Sequence, residues 1–345
     1  MPVQTPWRLA LPPLLLALGL HGGAACAQDA ASHHRQLAGG SAALRSTPVP
    51  EPSALEMNGR VRNYLLQRPL SAVPGPRPLV LMLHGGTQTA AQFWRQTRLP
   101  EVAGRAGALV VAPQGLGKHW NDGRGATIAG DAASTADDVG FLLALIDQLV
   151  AQEQADPQAV FVFGVSNGGF MAMRLACEAG ERLRAVATGL ATLSEPQAAA
   201  CPSKARLPWL MVHGTEDPIV PFAGAASAPA RRKLLKPPAP PTPPTRSAME
   251  SFRFWADRAG CGPLGPGEAL SRPGDDERGR WAEAFTRADC SGGRISRLVV
   301  LHGSGHVFPG LPIESRLVER IVGPGAPELD GGALVWAHFE RNLPR

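Results

Sequence analysis

Residues Ala159-Val160-Phe161-Val162-Phe163 form an apolar run of β-branched and aromatic side chains that leads straight into Gly164-Val165-Ser166-Asn167-Gly168. A small-residue helical pattern, Gly169 to Ala176, follows at once. A buried strand, a turn tight enough to want glycine on both sides of a serine, and an immediate helix fit few architectures. They fit an open α/β sheet, in which the turn lifts the Ser166 hydroxyl above the strand ends. In a chain with 39 glycines the five-residue pattern alone is weak, and the strand and helix around it carry the reading.

Other segments repeat the rhythm. Val61–Leu66 reads as a strand, and Leu79–Leu83 and Ala108–Ala112 are continuous apolar runs of the kind buried in parallel sheets. Asp137-Asp138 open and cap an amphipathic helix over Val139–Glu153. Strand patterns recur at Ala185–Thr188, Pro208–Val212 and Ile295–Leu301, and a closing helix is expected around Gly332–Asn342. Strands alternating with helices predict an α/β fold: a doubly wound, mostly parallel sheet in a single domain, here residues 56–345. A composition of 44% hydrophobic and 18% charged residues supplies the core for it.

The N-terminus has the layout of an export signal over residues 1–27: Arg8, a short apolar core from Leu11 to Leu20, and Ala25-Cys26-Ala27 as a cleavage site. That core is too short to span a bilayer. An alternative makes Cys26 a lipidated cysteine, although the usual leucine three residues before it is missing. Residues 28–55 are small and polar and read as a disordered tether. Without Cys26, Cys177, Cys201, Cys261 and Cys290 remain, an even number that favours disulfides in an exported chain. Three pairings are open; local pairing, Cys177 with Cys201 and Cys261 with Cys290, closes the shortest loops. Residues 225–246 hold a basic and proline-rich stretch, read as an exposed loop. The net charge of +5 is scattered over the chain with no nucleic-acid-binding pattern, and no metal-ligand spacing appears.

Ester hydrolysis by a serine needs a nucleophile, a base, an acid to orient the base and an oxyanion hole. Each has a candidate just after a strand. Ser166 follows the central strand, Asp217 lies in His213-Gly214-Thr215-Glu216-Asp217-Pro218, and His306 lies in Gly303-Ser304-Gly305-His306. The order Ser, Asp, His is that of α/β-hydrolases. Glu216 is a rival acid and His302 a rival base, while His84 and His213 read as positioning residues. The expected oxyanion donors are the N–H of Asn167 and an N–H from His84-Gly85-Gly86-Thr87, with Gly86 preferred to Thr87. Trp120 and Phe308 are expected to flank the cleft and contact substrate.

Leu83-His84-Gly85-Gly86-Thr87, Trp120-Asn121-Asp122-Gly123-Arg124, Asp138-Val139-Gly140-Phe141, the Ser166 elbow, the Asp217 segment and Gly305-His306-Val307-Phe308-Pro309-Gly310 occur in that order from Arg60 onward. Together they resemble the poly(3-hydroxybutyrate) depolymerase and feruloyl-esterase group, carbohydrate esterase family one. The resemblance implies nucleophile Ser166, acid Asp217, base His306 and oxyanion donors Gly86 and Asn167. It also matches Cys261 and Cys290 to a family cysteine pair. The chain departs from the pattern at Phe308, where the family often has Trp, and at Gly86, where it often has Cys.

The expectation is an exported serine carboxylester hydrolase, without metal or cofactor, acting through an acyl-enzyme on short hydroxyalkanoate-type esters. The alternatives are a feruloyl or acetylxylan esterase, or a non-catalytic ester-binding protein on a hydrolase scaffold. Only about forty residues follow His306, too few for a further domain with its own core, so soluble esters or oligomers are expected to be cleaved better than solid polymer.

Overall fold

The computed structural model describes residues 47–71, 74–125, 135–202, 204–226, 243–311, 313 and 315–344. All of them belong to one compact unit, Leu37–Arg345. The export signal, Cys26, the tether up to residue 46 and residues 227–242 of the proline-rich loop lie outside the described residues.

The strands are β1 (Pro52–Met57), β2 (Arg60–Gln67), β3 (Arg77–Leu83), β4 (Leu109–Pro113), β5 (Ala155–Val165), β6 (Ala185–Gly189), β7 (Trp209–Gly214), β8 (Leu264–Ala269), β9 (Trp281–Cys290) and β10 (Arg294–His302). They form one sheet in the order β1-β2-β4-β3-β5-β6-β7-β10-β9-β8. The centre, from β4 to β10, is parallel; β1, β2, β9 and β8 extend it antiparallel at the two margins. The helices are α1 (Ala90–Gln96), α2 (Leu99–Arg105), α3 (Asp138–Glu153), α4 (Asn167–Ala179), α5 (Glu195–Ala199), α6 (Ala248–Arg258), α7 (Arg316–Val322) and α8 (Gly331–Glu340).

The two-residue period of the strands divides the core into two layers. Leu79, Leu81 and Leu83 of β3 and Val160 and Val162 of β5 face α3, α4 and α6, meeting Phe141, Leu145, Met171, Phe252 and Trp255. Val80, Met82, Phe161 and Phe163 face α1, α2 and α8, meeting Trp94, Leu99, Trp336 and Phe339. Among the described residues no helix is long and apolar enough to cross a membrane. The chain leaves β3 to one side for β4 and returns to its other side for β5, so the winding reverses at β3. Ligand crevices of open α/β sheets lie at the carboxyl ends of strands at such a point, and there both the His84 loop and the Ser166 turn emerge.

One expectation needs correction. The tether cannot extend to residue 55, because β1 begins at Pro52 and pairs with β2. Asn58 and Gly59, at φ 52° and 71°, make the two-residue turn between paired Met57 and Arg60, a conformation that favours Asn-Gly and matches strand twist. Leu55 and Met57 then pack inward on alternate positions while Pro52, Ala54 and Glu56 face out. Ile295–Leu301 falls within β10, the last strand in chain order; beyond it in the sheet lies the β8–β9 hairpin, which the sequence patterns do not single out. Both margins have one open face, so their sequences lack the continuous apolar runs of the central strands.

Cys177 of α4 is bonded to Cys201, and Cys261, just after α6, to Cys290 at the end of β9. This is the local pairing. Replacing Cys177 and Cys201 together by alanine is expected to lower stability by about 3 kcal/mol through the freed loop entropy of the unfolded chain. Urea unfolding measures it, and an unchanged midpoint would show that the bridge constrains nothing.

Candidate active site

Ser166 sits between β5 and α4 at φ 52° and ψ −121°, a conformation that costs a non-glycine residue about 1–3 kcal/mol. Its neighbours make the turn possible. A Cβ on Gly164 would lie 2.1 Å from the Gly168 carbonyl oxygen, and one on Gly168 would lie 2.1 Å from the Leu83 carbonyl oxygen. Hence only glycine lets α4 start this close to β3 and β5. The Ser166 N–H donates to the Gly189 carbonyl at 2.8 Å, and the hydroxyl is left at the rim of the sheet.

His306 meets it from the loop after β10. Its Nδ1 is 2.7 Å from Asp217 Oδ2 and its Nε2 is 2.9 Å from Ser166 Oγ. Because the carboxylate can only accept, Nδ1 carries the hydrogen, which leaves the Nε2 lone pair for the serine hydroxyl. The other carboxylate oxygen, Asp217 Oδ1, accepts from the N–H groups of Ile219 and Val220, each at 2.8 Å. Asp217 is therefore held at both oxygens and buried, while the His306 side chain keeps 10% exposure. The rivals lie elsewhere. Glu216 is exposed. His302 stacks on Trp281 with ring centroids 3.9 Å apart and approaches Glu283.

The loop after β3 lies against the same turn. A Cβ on Gly85 would be 3.6 Å from Ser166 Cβ, and one on Gly86 would be 3.6 Å from Asn167 Cβ and 3.2 Å from His119 Nε2. The Thr87 N–H donates to the Lys118 carbonyl at 2.9 Å, so it points away from a ligand. The Asn167 N–H is among the first donors of α4, which a helix leaves without internal partners.

Much of the chain is similar to known proteins. Residues 62–199 match the family described as esterase PHB depolymerase. NocK of Nocardia uniformis subsp. tsuyamanensis, provisionally named an esterase, is 33% identical over 259 residues, 73% of this chain and 72% of its own length. Feruloyl esterase B of Piromyces equi is 26% identical over 235 residues, 66% of this chain but 39% of that protein. The solved acetyl xylan esterase from Aspergillus awamori superposes with a TM-score of 0.51 at 14% identity, covering 74% of this chain and 94% of that one; it shares the fold. This chain belongs to the esterase PHB depolymerase family. It is a carboxylic ester hydrolase with the α/β-hydrolase fold.

The aromatic expectation fails for Phe308. It is fully buried, tilted against Phe163 with centroids 5.1 Å apart, and fills the space that a side chain on Gly189 or Gly331 would need. An apolar ring two residues past His306 is drawn into the core under the loop, where it offers no face to a ligand. Trp120 is 4% exposed, and its indole N–H donates to the His84 carbonyl at 2.9 Å. It braces the β3 loop and presents almost no surface to the cleft.

The neighbours of Trp120, to which the sequence alone assigns no role, build a polar network beside it. Asp122 Oδ2 accepts from Asn167 Nδ2 at 2.6 Å and from Arg124, whose guanidinium lies 3.6 Å over the Phe170 ring. Asn121 N–H donates to Asp138 Oδ2, and Asp138 in turn pairs with buried Arg62 at 2.6 Å. The available signal was charge: Asp122, Arg124 and Asp138 stand in motifs beside apolar segments that leave them little water. Asp137 caps α3 as expected, by accepting from the Gly140 N–H, whereas Asp138 is consumed by this network.

His84 and His213 are positioning groups. The Gly115 N–H donates to His84 Nε2, so Nδ1–H donates to the Gly85 carbonyl, at 3.0 and 2.8 Å. His213 Nε2–H donates to the Val220 carbonyl at 2.8 Å, behind Asp217. Burial pushes His84 down to about 4 and His338 to about 3, and also lowers His213. Histidines neutral in the fold but free to protonate when unfolded make stability fall with pH, starting near their ordinary 6.5 and ending at the folded value. Unfolding free energy is expected to decline between about pH 6.5 and 4, by up to about 1.4 kcal/mol per pH unit for each such group. His338→Gln should flatten that slope; stability constant from pH 7 to 4.5 would contradict it.

Proposed function

We propose that Ser166 is the nucleophile, His306 the general base and acid, and Asp217 the residue that orients the base, acting through an acyl-enzyme. The observation that carries this reading is the unbroken line of two short hydrogen bonds, Ser166 Oγ to His306 Nε2 at 2.9 Å and His306 Nδ1 to Asp217 Oδ2 at 2.7 Å. His306 takes the serine proton as Oγ attacks the ester carbonyl, and returns it to the leaving alcohol. Water, activated by the same imidazole, then releases the acid. The Asn167 and Gly86 N–H groups are the donors for the oxyanion; Thr87 is the weaker choice because its N–H is engaged with Lys118. Asp217, fixed by three donors, keeps the imidazole in the required tautomer and stabilises the imidazolium that forms.

The substrate in this reading is a short hydroxyalkanoate-type ester, which the family's description supports. The relative named feruloyl esterase B supports a second reading, in which the acyl group is an aromatic cinnamate type. Export fits the two disulfides, which persist in oxidising compartments.

Ser166→Ala is expected to reduce turnover of p-nitrophenyl butyrate by about 10⁴-fold or more, His306→Ala by a similar factor, and Glu216→Ala hardly at all. An organophosphonate probe should label wild-type protein on Ser166 and leave the alanine variant unlabelled. Activity of Ser166→Ala within tenfold of wild type would remove the mechanism. Rates on hydroxybutyrate oligomers and methyl ferulate, compared with that simple ester, decide between the two substrate readings.

A further inference from the structure

The two N–H groups assigned above to the oxyanion come from different parts of the chain: Gly86 follows β3, and Asn167 opens α4. One short segment, residues 118–122, is attached to both. On the β3 side, the Lys118 carbonyl accepts from the Thr87 N–H at 2.9 Å, and the Trp120 indole donates to the His84 carbonyl at 2.9 Å. The His119 ring fills the space beside Gly86 that a side chain would occupy. On the α4 side, Trp120 N–H donates to Asn167 Oδ1 at 2.8 Å and Asn167 Nδ2 donates to the Trp120 carbonyl at 3.1 Å. Asp122 Oδ2 then takes the same Nδ2 at 2.6 Å. The Asn167 side chain is wholly engaged in this clamp and buried.

Asp122 is the charged anchor. It is 4% exposed and faces Arg124, itself 7% exposed, at 2.7 Å, with Arg124 N–H on the other carboxylate oxygen. Its own carbonyl accepts from Gln197 Nε2, which also donates to the Phe170 carbonyl of α4. A carboxylate buried this near a developing oxyanion opposes it unless a cation compensates, and the Arg124 pair supplies that cation. Hydrogen bonds to a charged acceptor in such surroundings are short and directional. They fix the orientation of the α4 start in a way a neutral contact does not.

Resting on the reading that Asn167 and Gly86 hold the oxyanion, we propose that Asp122 is a positioning residue. It acts through the Asn167 side chain to set the spacing between the two donors, so it contributes to the tetrahedral state and little to binding of the ground-state ester.

The test separates this from a merely structural role. Asp122→Ala is expected to lower kcat by about 100-fold with KM within about threefold, because a displaced donor costs the transition state alone. Inhibition by an alkylboronic acid, which forms a tetrahedral adduct with the serine, should weaken by a similar factor. Asp122→Asn, which keeps an acceptor for Asn167 Nδ2, should recover to within about tenfold of wild type. Should Asp122→Ala not fold, Asn167→Ala takes its place, since it keeps the backbone N–H but loses the clamp, and the same kcat and boronate losses are expected. A folded Asp122→Ala or Asn167→Ala protein with kcat and boronate affinity within threefold of wild type overturns the inference, as does a loss confined to KM. Ser166→Ala is run alongside. If it keeps activity, the catalytic reading itself has failed; if it is dead while the clamp variants are unimpaired, only the role of Asp122 has.

Discussion

The turn at Ser166 is the constraint on which the rest of the site depends. A serine at φ 52° stores strain, and it is held there because β5, α4 and β3 crowd so closely that Gly164 and Gly168 touch backbone carbonyls. The apolar layers on the two faces of β5 lock that strand in place, and the cost of the turn is met by burial elsewhere in the core. Every other group comes to meet this fixed point. The β10 loop delivers His306, the β7 loop delivers Asp217, and the β3 loop lies against Ser166 through Gly85 and against Asn167 through Gly86.

Electrostatics complete the arrangement. Histidines that surround the site without reacting, His84 and His213, are kept neutral by burial and spend their ring hydrogens on backbone carbonyls. His306 is different: it retains a solvent-facing edge and spans two polar partners of opposite hydrogen-bonding character. Asp138 shows the reverse effect of burial, which holds its carboxyl above the usual range despite the neighbouring Arg62. Asp122 and Asp138, buried near the cleft, are thus paired with Arg124 and Arg62, whereas buried Asp217 is held by His306 and two backbone N–H groups.

Much of this was legible in the sequence, for physical reasons that also explain the failures. Central strands buried on both faces must be continuously apolar, so β3, β4, β5, β6 and β7 stood out. The margins did not, because β1, β8 and β9 need only alternate and are rich in small or charged residues. The Asn58-Gly59 turn was the readable sign of β1. The cluster of Ser166, Asp217 and His306 could be anticipated because each follows a strand end in a glycine-rich turn. Phe308 and Trp120 were misjudged because an aromatic near a catalytic loop can face either the cleft or the core, and only packing decides. Asp122 meets Asn167, and Arg124 meets Asp122, through three-dimensional contacts that no spacing along the chain encodes.

The central claim is that ester cleavage passes through a covalent bond to Ser166. It is tested most directly by acid-quenching the enzyme during turnover of a slowly deacylating ester and measuring peptide masses. The acyl mass is expected on the peptide that spans Ser166, appearing no later than the first released alcohol. Rapid turnover with that peptide unmodified at every time point, or with the acyl group on another residue, would contradict it.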